Sequence, residues 1–302
     1  FTSIVIPSSV TLIDLNAFLD CYKLIEVINK SSLNIVKGET DNGFVGYYAL
    51  NVKKSGTSDI KNENGYLFYT YANLGIKYLL GYVGDADEII LPDAYNGGDY
   101  EIYKYAFYGD TTLKRVVLGN GVKTINSYAF ASCYELTEAV FSQKTETIGY
   151  NAFEGCTALK NVVIGDGVAY IRSNAFSGCR NLISVTIGSN VKTIESYAFD
   201  GAYHLVEVIN KSSLNIEKGS TNNGYVAYYA LQVKSTGNDG VVNKDGYLFY
   251  SCEDGVYLVG YEGNETDLIL PDDFNGNQYS IKYGAFYFLK NIRSVVISNG
   301  VI

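Results

Sequence analysis

The chain has 302 residues, of which 47% are hydrophobic and 18% charged, and its formal net charge is −9. This acidity argues against a nucleic-acid-binding protein, which carries a basic stripe, and against docking on anionic membranes. No apolar run approaches the roughly eighteen residues of a membrane span. No signal peptide is visible after Phe1. Because both ends fall inside a repeat, we expect a fragment of a longer protein.

A repeat of 23 residues runs through the middle of the chain. An Ala-Phe dipeptide recurs at this spacing: Ala106-Phe107, Ala129-Phe130, Ala152-Phe153, Ala175-Phe176 and Ala198-Phe199. Other apolar positions keep the same register, and one coil follows the pattern I-x3-A-F-x2-C-x2-L-x2-V-x-I-x3-V. A unit this short cannot bury its apolar residues alone, so successive coils must stack.

The two apolar residues of V-x-I point to one side of a strand, into the core, and the residue between them points outward. Stacked V-x-I strands predict a parallel sheet, with the Ala-Phe step on the opposite wall. The pattern therefore predicts a repeat solenoid: a right-handed β-solenoid of leucine-rich-repeat type, with coils of about 23 residues and the parallel sheet on its concave face.

In chain order, one solenoid domain is expected over 1–302. Residues 1–23 form a regular coil, 24–107 a longer variant unit, 108–204 regular 23-residue coils, 205–286 a second variant unit and 287–302 a truncated coil.

The two variant units are close copies of each other. Val27–Ile35 recurs unchanged at Val208–Ile216, and later parts also match, with a length change near Thr70–Gly75. Length changes belong in loop tips. We therefore expect a β-hairpin in each unit, with these pairings: Tyr66–Tyr69 with Lys77–Leu80, and Tyr247–Tyr250 with Val256–Val259.

Two stretches resemble a known family. They are the string IRSNAFSGCRNL at Ile171–Leu182 and the opening IVIPSSV at Ile4–Val10. Both resemble the BspA-like (Treponema pallidum-type) leucine-rich repeats, and the resemblance covers essentially the whole chain. It implies a bacterial protein that is extracellular or on the cell surface and serves adhesion. The departures are modest, with Asp110 and Ala202 at the Cys position of the repeat.

Chemically reactive residues form no recognisable active site. His204 is the single histidine, and no nucleophile is marked beside it, so a surface or turn histidine is favoured. Asn62-Glu63-Asn64-Gly65 and Asn243-Lys244-Asp245-Gly246 lack the full acid pattern of a calcium loop, which favours solvated turns. We predict no enzyme, no catalytic residue, no cofactor and no metal.

Four cysteines share one repeat position, which favours an inward packing ladder over metal binding or disulfides. They are Cys21, Cys133, Cys156 and Cys179. Cys252, in a hairpin turn, is the one expected to be exposed.

The outward residue of each V-x-I strand is β-branched: Val5, Ile28, Val117, Val140, Val163, Thr186, Ile209 and Val296. An apolar stripe on a surface indicates an interaction site. The alternative is that β-branched residues simply suit parallel strands. Flanking positions vary as a binding face would, and they include Lys114, Arg115, Glu138 and Lys160.

Tyr105, Tyr128 and Tyr197 occupy the coil position before Ala-Phe. Exposed tyrosines stack on sugars or anchor proteins, but they also cover neighbouring coils. We expect a cell-surface or secreted, non-catalytic adhesion module whose solenoid surface recognises a host or cell-surface protein. A glycan-binding surface that uses the tyrosines and a passive structural spacer are the alternatives. Neither nucleic acid nor membrane insertion is expected.

Overall fold

The computed structural model describes residues 1–236 and 240–302. In these residues the chain folds into short, mostly parallel strands that stack from coil to coil. The first three strands are β1 (Ser3–Ile6), β2 (Glu26–Asn29) and β3 (Asn51–Lys53). They pair in parallel, with Ile4 opposite Val27 and Val27 opposite Val52.

The central part of the chain alternates between two sheets. Its strands are β4 (Lys61–Glu63), β5 (Tyr66–Tyr71), β6 (Ile76–Tyr82), β7 (Glu88–Ile90), β8 (Tyr100–Ile102), β9 (Arg115–Val117), β10 (Val122–Ile125), β11 (Glu138–Val140), β12 (Thr147–Ile148), β13 (Asn161–Val163), β14 (Tyr170–Ile171), β15 (Ser184–Ile187), β16 (Thr193–Ile194), β17 (Glu207–Asn210) and β18 (Gln232–Lys234). A one-turn 3₁₀ helix, Asn223–Tyr225, lies between the last two strands.

The V-x-I strands form one sheet, which we call the principal sheet, in the order β18-β17-β15-β13-β11-β9-β7. The strands before the Ala-Phe step, together with the antiparallel strands β4, β5 and β6, form the second sheet, in the order β16-β14-β12-β10-β8-β6-β5-β4. The predicted leucine-rich-repeat solenoid with parallel sheets is thus confirmed. The second sheet was not foreseen, because its strands are as short as Thr147–Ile148.

The last part of the chain repeats this plan. Its strands are β19 (Val241–Lys244), β20 (Tyr247–Cys252), β21 (Gly255–Tyr261), β22 (Asp267–Ile269), β23 (Ser280–Ile281) and β24 (Ser294–Val296). One sheet runs β19-β20-β21-β23, and β22 pairs in parallel with β24.

The repeat phenylalanines stack along the core. Phe107, Phe130, Phe153, Phe176 and Phe199 are buried, and each ring lies 4.8–5.2 Å from the next along the row. The backbone of the Ala-Phe step also links the coils. The N–H groups of Phe107, Phe130, Phe153 and Phe176 donate to the Ala carbonyl of the following coil at 2.7–2.8 Å, and that of Phe199 donates to the Gly224 carbonyl at 2.8 Å.

Cys133, Cys156 and Cys179 are fully buried, and the thiol of Cys156 donates to the carbonyl of Phe130 at 3.1 Å. Cys21 lies at the first coil and is half-buried. The predicted packing ladder is confirmed for the three central cysteines, which act as small apolar fillers with one weak donor.

Glycine after the principal strand allows close approach of neighbouring coils. A Cβ on Gly188 would lie 2.5 Å from the carbonyl oxygen of Gly165. Since that distance is far below van der Waals contact, no side chain fits between the coils at this turn.

Both predicted hairpins are confirmed. Phe68 pairs with Leu79 in the first and Phe249 with Leu258 in the second. A third antiparallel strand precedes each hairpin, β4 before β5 and β19 before β20.

Each hairpin packs on both of its faces. In the first, Phe68 and Leu79 belong to the central core, while Tyr69 and Leu80 pack with Ile25 of the N-terminal coils. In the second hairpin, Phe249 belongs to the C-terminal core, and Tyr250 packs with Val206 of the central coils. This alternation follows from the period of two along a strand. The hairpins therefore join successive stretches of solenoid.

Candidate binding surface

An uncovered row of β-branched side chains crosses the principal sheet. Ile90 lies opposite Val117, which is followed in register by Val140, Val163 and Thr186. Ile90 is 67% and Val163 60% exposed, and the other three are half-buried. At about 4.8 Å per parallel strand, the row is roughly 19 Å long. We call these five residues the apolar row.

A polar row runs beside the apolar row, two residues earlier on each strand: Glu88, Arg115, Glu138, Asn161 and Ser184. The guanidinium Nε of Arg115 donates to Glu138 Oε2 at 2.7 Å across β9 and β11. The hydroxyl of Ser184 donates to Asn161 Oδ1 at 2.8 Å. Four of the five members of the polar row are thus paired with each other.

The two predicted lysines at the strand entrances are paired as well. Lys114 Nζ lies 2.8 Å from Asp87 Oδ2, and this hydrogen bond raises the pKa of the lysine and lowers that of the aspartic acid. Lys160 Nζ lies 2.6 Å from Glu262 Oε1, which reaches it from the end of β21. Because these pairs are largely exposed, they contribute little to stability.

A shallow groove of about 550 Å³ lies over the middle of both rows. Glu138 and Val140 line one side, and Lys160 and Val163 line the other. The structure therefore brings together eight of the predicted residues: Lys114, Arg115, Val117, Glu138, Val140, Lys160, Val163 and Thr186.

At β2 and β17, the first strand of each variant unit, the position equivalent to the apolar row is buried. Ile28 and Ile209 are 2% and 5% exposed, so the prediction that they face solvent is wrong. Over β2, the N–H of Asp59 donates to Glu26 Oε2 at 3.2 Å, which places the segment 57–60 on that face. Over β17, the Tyr250 hydroxyl donates to Glu207 Oε1 at 2.9 Å.

The predicted tyrosines lie elsewhere, on the Ala-Phe wall. Tyr105 and Tyr128 stack with centroids 5.0 Å apart and planes at 6°. Tyr197 is 50% exposed and stacks on Tyr225 at 5.4 Å. Tyr105 and Tyr128 hold left-handed backbone conformations, φ 62° and 59°. Such values are unusual for a bulky residue. Tyr105 and Tyr128 thus cover neighbouring coils by stacking on each other, which is one of the roles expected for them.

The single histidine lies in a cleft between the central coils and the C-terminal stretch. His204 Nε2 is 2.7 Å from the carbonyl oxygen of Gly284, and burial lowers the pKa of the imidazole. Within 1–236 and 240–302, no group of three or more His, Cys, Asp or Glu side chains is arranged to hold a metal. In the same residues, no helix has the length and apolarity to cross a bilayer.

The turns at 62–65 and 243–246 both have the predicted turn character. Asn64 and Gly65 have φ values of 52° and 90°, as the two-residue turn of a tight hairpin requires. The same holds for Asp245 and Gly246, at 54° and 86°. Asn-Gly and Asp-Gly pairs are typical of two-residue hairpin turns. Here they connect β4 to β5 and β19 to β20, so they predict the antiparallel strand that precedes each hairpin.

Two exposed residues escaped the sequence analysis. Ile90 and Ile269 are 67% and 70% exposed, in the matching strands β7 and β22. Ile89-Ile90-Leu91 and Leu268-Ile269-Leu270 both fit the V-x-I pattern of two apolar residues around a third. Applied to these strands, the pattern predicts that Ile90 and Ile269 face outward.

Several solved structures of bacterial proteins are similar to this chain. A pneumococcal vaccine antigen, PcpA, is 21% identical, covers 72% of this chain and 59% of its own, and gives a TM-score of 0.47. A leucine rich cell surface protein of Faecalibacterium prausnitzii is 19% identical over 82% of this chain and 79% of its own, with a TM-score of 0.44. A T. pallidum leucine-rich repeat protein is 24% identical over 51% and 83%, with a TM-score of 0.40. The chain thus spans less than two thirds of the pneumococcal protein. Among curated proteins, none matches.

The repeat itself decides the family. Residues 1–75 and 100–225, more than half of the chain, match the BspA type leucine rich repeat region in six copies. Repeats of this kind are generally non-enzymatic scaffolds with long surfaces. The chain therefore belongs to the BspA-type leucine-rich-repeat family.

Proposed function

We propose that the chain is a non-catalytic binding module of a cell-surface or secreted protein, and that the apolar row with its polar flank holds a protein partner. The observation that carries the proposal is the continuous, in-register exposure of Ile90, Val117, Val140, Val163 and Thr186. An apolar centre with a hydrogen-bonded polar border is the arrangement of protein–protein interfaces.

The variant units indicate that strand preference alone does not explain why the apolar row is exposed. β-Branched residues suit parallel strands whether or not they are covered. At Ile28, however, the same position of the same repeat lies beneath a later segment and is 2% exposed. The fold thus has a means of covering this position, and the strands β7, β9, β11, β13 and β15 leave it open.

The paired charges favour a partner with a mixed polar surface. Arg115 and Glu138 neutralise each other, as do Lys160 and Glu262. No single sign of charge dominates the groove. Nucleic acid, which requires a basic surface, does not fit this face.

We also propose that residues 1–302 act as one solenoid domain with the unit boundaries given above. The support is the packing of each hairpin on two neighbouring stretches, through Tyr69 and Ile25 at the first joint and through Tyr250 and Val206 at the second. Packing of this extent would hold the binding surface rigid.

Site-directed photo-crosslinking tests the location of the surface. A photoreactive phenylalanine analogue replaces Val163 in one variant and Val242, 49% exposed on β19, in a control. Both variants are irradiated with host cells and with purified extracellular-matrix proteins. We expect a discrete crosslinked partner from position 163 alone. Equal crosslinking at both positions, or at 242 only, would contradict the proposal.

A further inference from the structure

A second groove, of about 550 Å³, lies at the joint between the central coils and the C-terminal stretch. Its walls include the rings of Tyr228, Tyr229, Tyr257 and Tyr283, and Lys282 is part of its lining. Tyr283 is 66% and Tyr228 42% exposed. This volume falls in the range of small-ligand sites.

Lys282 is an unusual residue in this position because it is 6% exposed. Among the residues that the structure describes, its ammonium donates to two backbone carbonyls, Tyr203 O at 2.8 Å and Tyr283 O at 3.4 Å, and forms no ion pair. Burial lowers the pKa of this lysine to about 8. A buried charge without a counter-charge is costly and is normally paired.

The first variant unit provides an internal comparison. Its aromatic frame matches, since Tyr47 and Tyr48 meet at 4.9 Å and 85°, and Tyr228 and Tyr229 meet at 4.9 Å and 86°. At the position of Lys282, the first unit has Tyr103.

The Tyr103 ring fills the first joint. It is 6% exposed, meets the ring of Tyr78 at 5.0 Å, and packs with Leu80 and Ile25. In the second unit the partner ring, Tyr257, lines the groove instead. The exchange of Tyr for Lys thus puts an uncompensated cation where the sister joint has an apolar ring.

The chemistry of the lining selects the ligand. Tyrosine rings offer apolar faces to the C–H side of a sugar ring, and their hydroxyls offer hydrogen bonds at its edge. An ammonium without a counter-charge attracts an anion, and a carboxylate forms the strongest hydrogen bonds with it. We propose that this groove binds a sugar residue that carries a carboxylate, with its ring against the tyrosines and its carboxylate on Lys282.

The test uses the whole chain and two probes, a tetrasaccharide of alternating hexuronate and N-acetylhexosamine and the same compound with its carboxylates reduced to alcohols. Calorimetry should show saturable binding of the acidic form and binding at least about tenfold weaker for the neutral form. Equal binding of the two probes, or no saturable binding of the acidic one, would overturn the proposal.

Three variants locate the site. Lys282→Met removes the charge and keeps the chain length, and Lys282→Tyr introduces the residue that the sister joint already accommodates. Each should weaken binding of the acidic probe about tenfold or more, with the thermal melting curve showing that the protein is folded. Lys104→Met, a matched loss of a lysine in the first unit, should leave binding unchanged.

Retained affinity in both Lys282 variants would show that another site holds the sugar. The double variant Val140→Glu/Val163→Glu should bind the acidic probe as the unsubstituted chain does. This result would show that the sugar site is independent of the protein-binding surface, so each of the two proposals is tested separately.

Discussion

The rings of Phe153 and Phe176 stack with their planes 2° apart and their centroids 5.2 Å apart. The two residues are one coil apart in the sequence, so the stack runs along the solenoid axis. Because each ring contacts the rings of the coils before and after it, the stability of a regular coil depends on its neighbours.

Phe153→Ala should lower the free energy of unfolding by about 3–5 kcal/mol. The ring is fully buried between Phe130 and Phe176, and its removal leaves a cavity. Urea unfolding measures the change, with Tyr134→Ala, at a ring 51% exposed, as the control. A loss below about 1 kcal/mol would show that the stack is not a core element.

Lys53→Met should be more damaging than a surface substitution. Glu26 is fully buried, and Lys53 Nζ lies 2.8 Å from its Oε1. Breaking a buried pair from one side costs about 3–5 kcal/mol. The double variant Glu26→Gln/Lys53→Met should recover part of this loss, because no buried charge is left alone. Equal unfolding free energies for the single and double variants would contradict that account.

Lys282→Met should stabilise the protein at pH 7. The pKa of Lys282 is lowered from 10.5 to about 8 in the folded state, so the folded protein disfavours the charged form. The cost is present below about pH 8 and disappears as the pH rises to 10.5, where the unfolded chain also loses the proton. The gain at pH 7 is up to about 3 kcal/mol.

Urea unfolding at pH 7 and pH 10 measures this difference, with Lys192→Met, at an exposed lysine, as the control. The stabilisation by Lys282→Met should shrink between the two pH values. A constant difference would mean that Lys282 is not buried as a cation. A lysine that is buried at a cost to stability is typical of a functional site, which agrees with ligand binding by Lys282.

The cysteines should divide into two reactivity classes. Burial raises the pKa of Cys179 to about 12 and that of Cys156 well above its usual value. Cys21 and Cys252 are only half-buried. A thiol reagent followed by mass spectrometry should label these two in the native protein and all five after unfolding. Labelling of Cys156 at the rate of Cys252 would contradict the packed ladder.

The repeat frame was sufficient to predict the core. A fixed spacing of 23 residues leaves one way to bury Phe130 and Leu136 together in every coil, and the period of two settles which neighbour faces out. Hence Val163 is exposed and Val162 is buried, as the pattern predicts.

Tertiary packing decided what the pattern left open. Ile28 has the same local sequence environment as an exposed strand residue, and it is covered because the segment that contains Asp59, some thirty residues later, folds across it. The sequence does not predict the burial of Lys282 for a similar reason. The lysine is buried against Tyr203, which lies 79 residues earlier in the chain.

A measurement of affinity decides whether the apolar row is the partner surface. For the partner identified by crosslinking, the dissociation constant of Val140→Glu/Val163→Glu is compared with that of Val83→Glu/Val242→Glu, which adds the same charge at exposed sites off the principal sheet. We expect affinity to fall roughly a hundredfold or more for the first pair alone, with unchanged circular dichroism and urea midpoint. An unchanged dissociation constant in a folded Val140→Glu/Val163→Glu variant would show that the partner binds elsewhere.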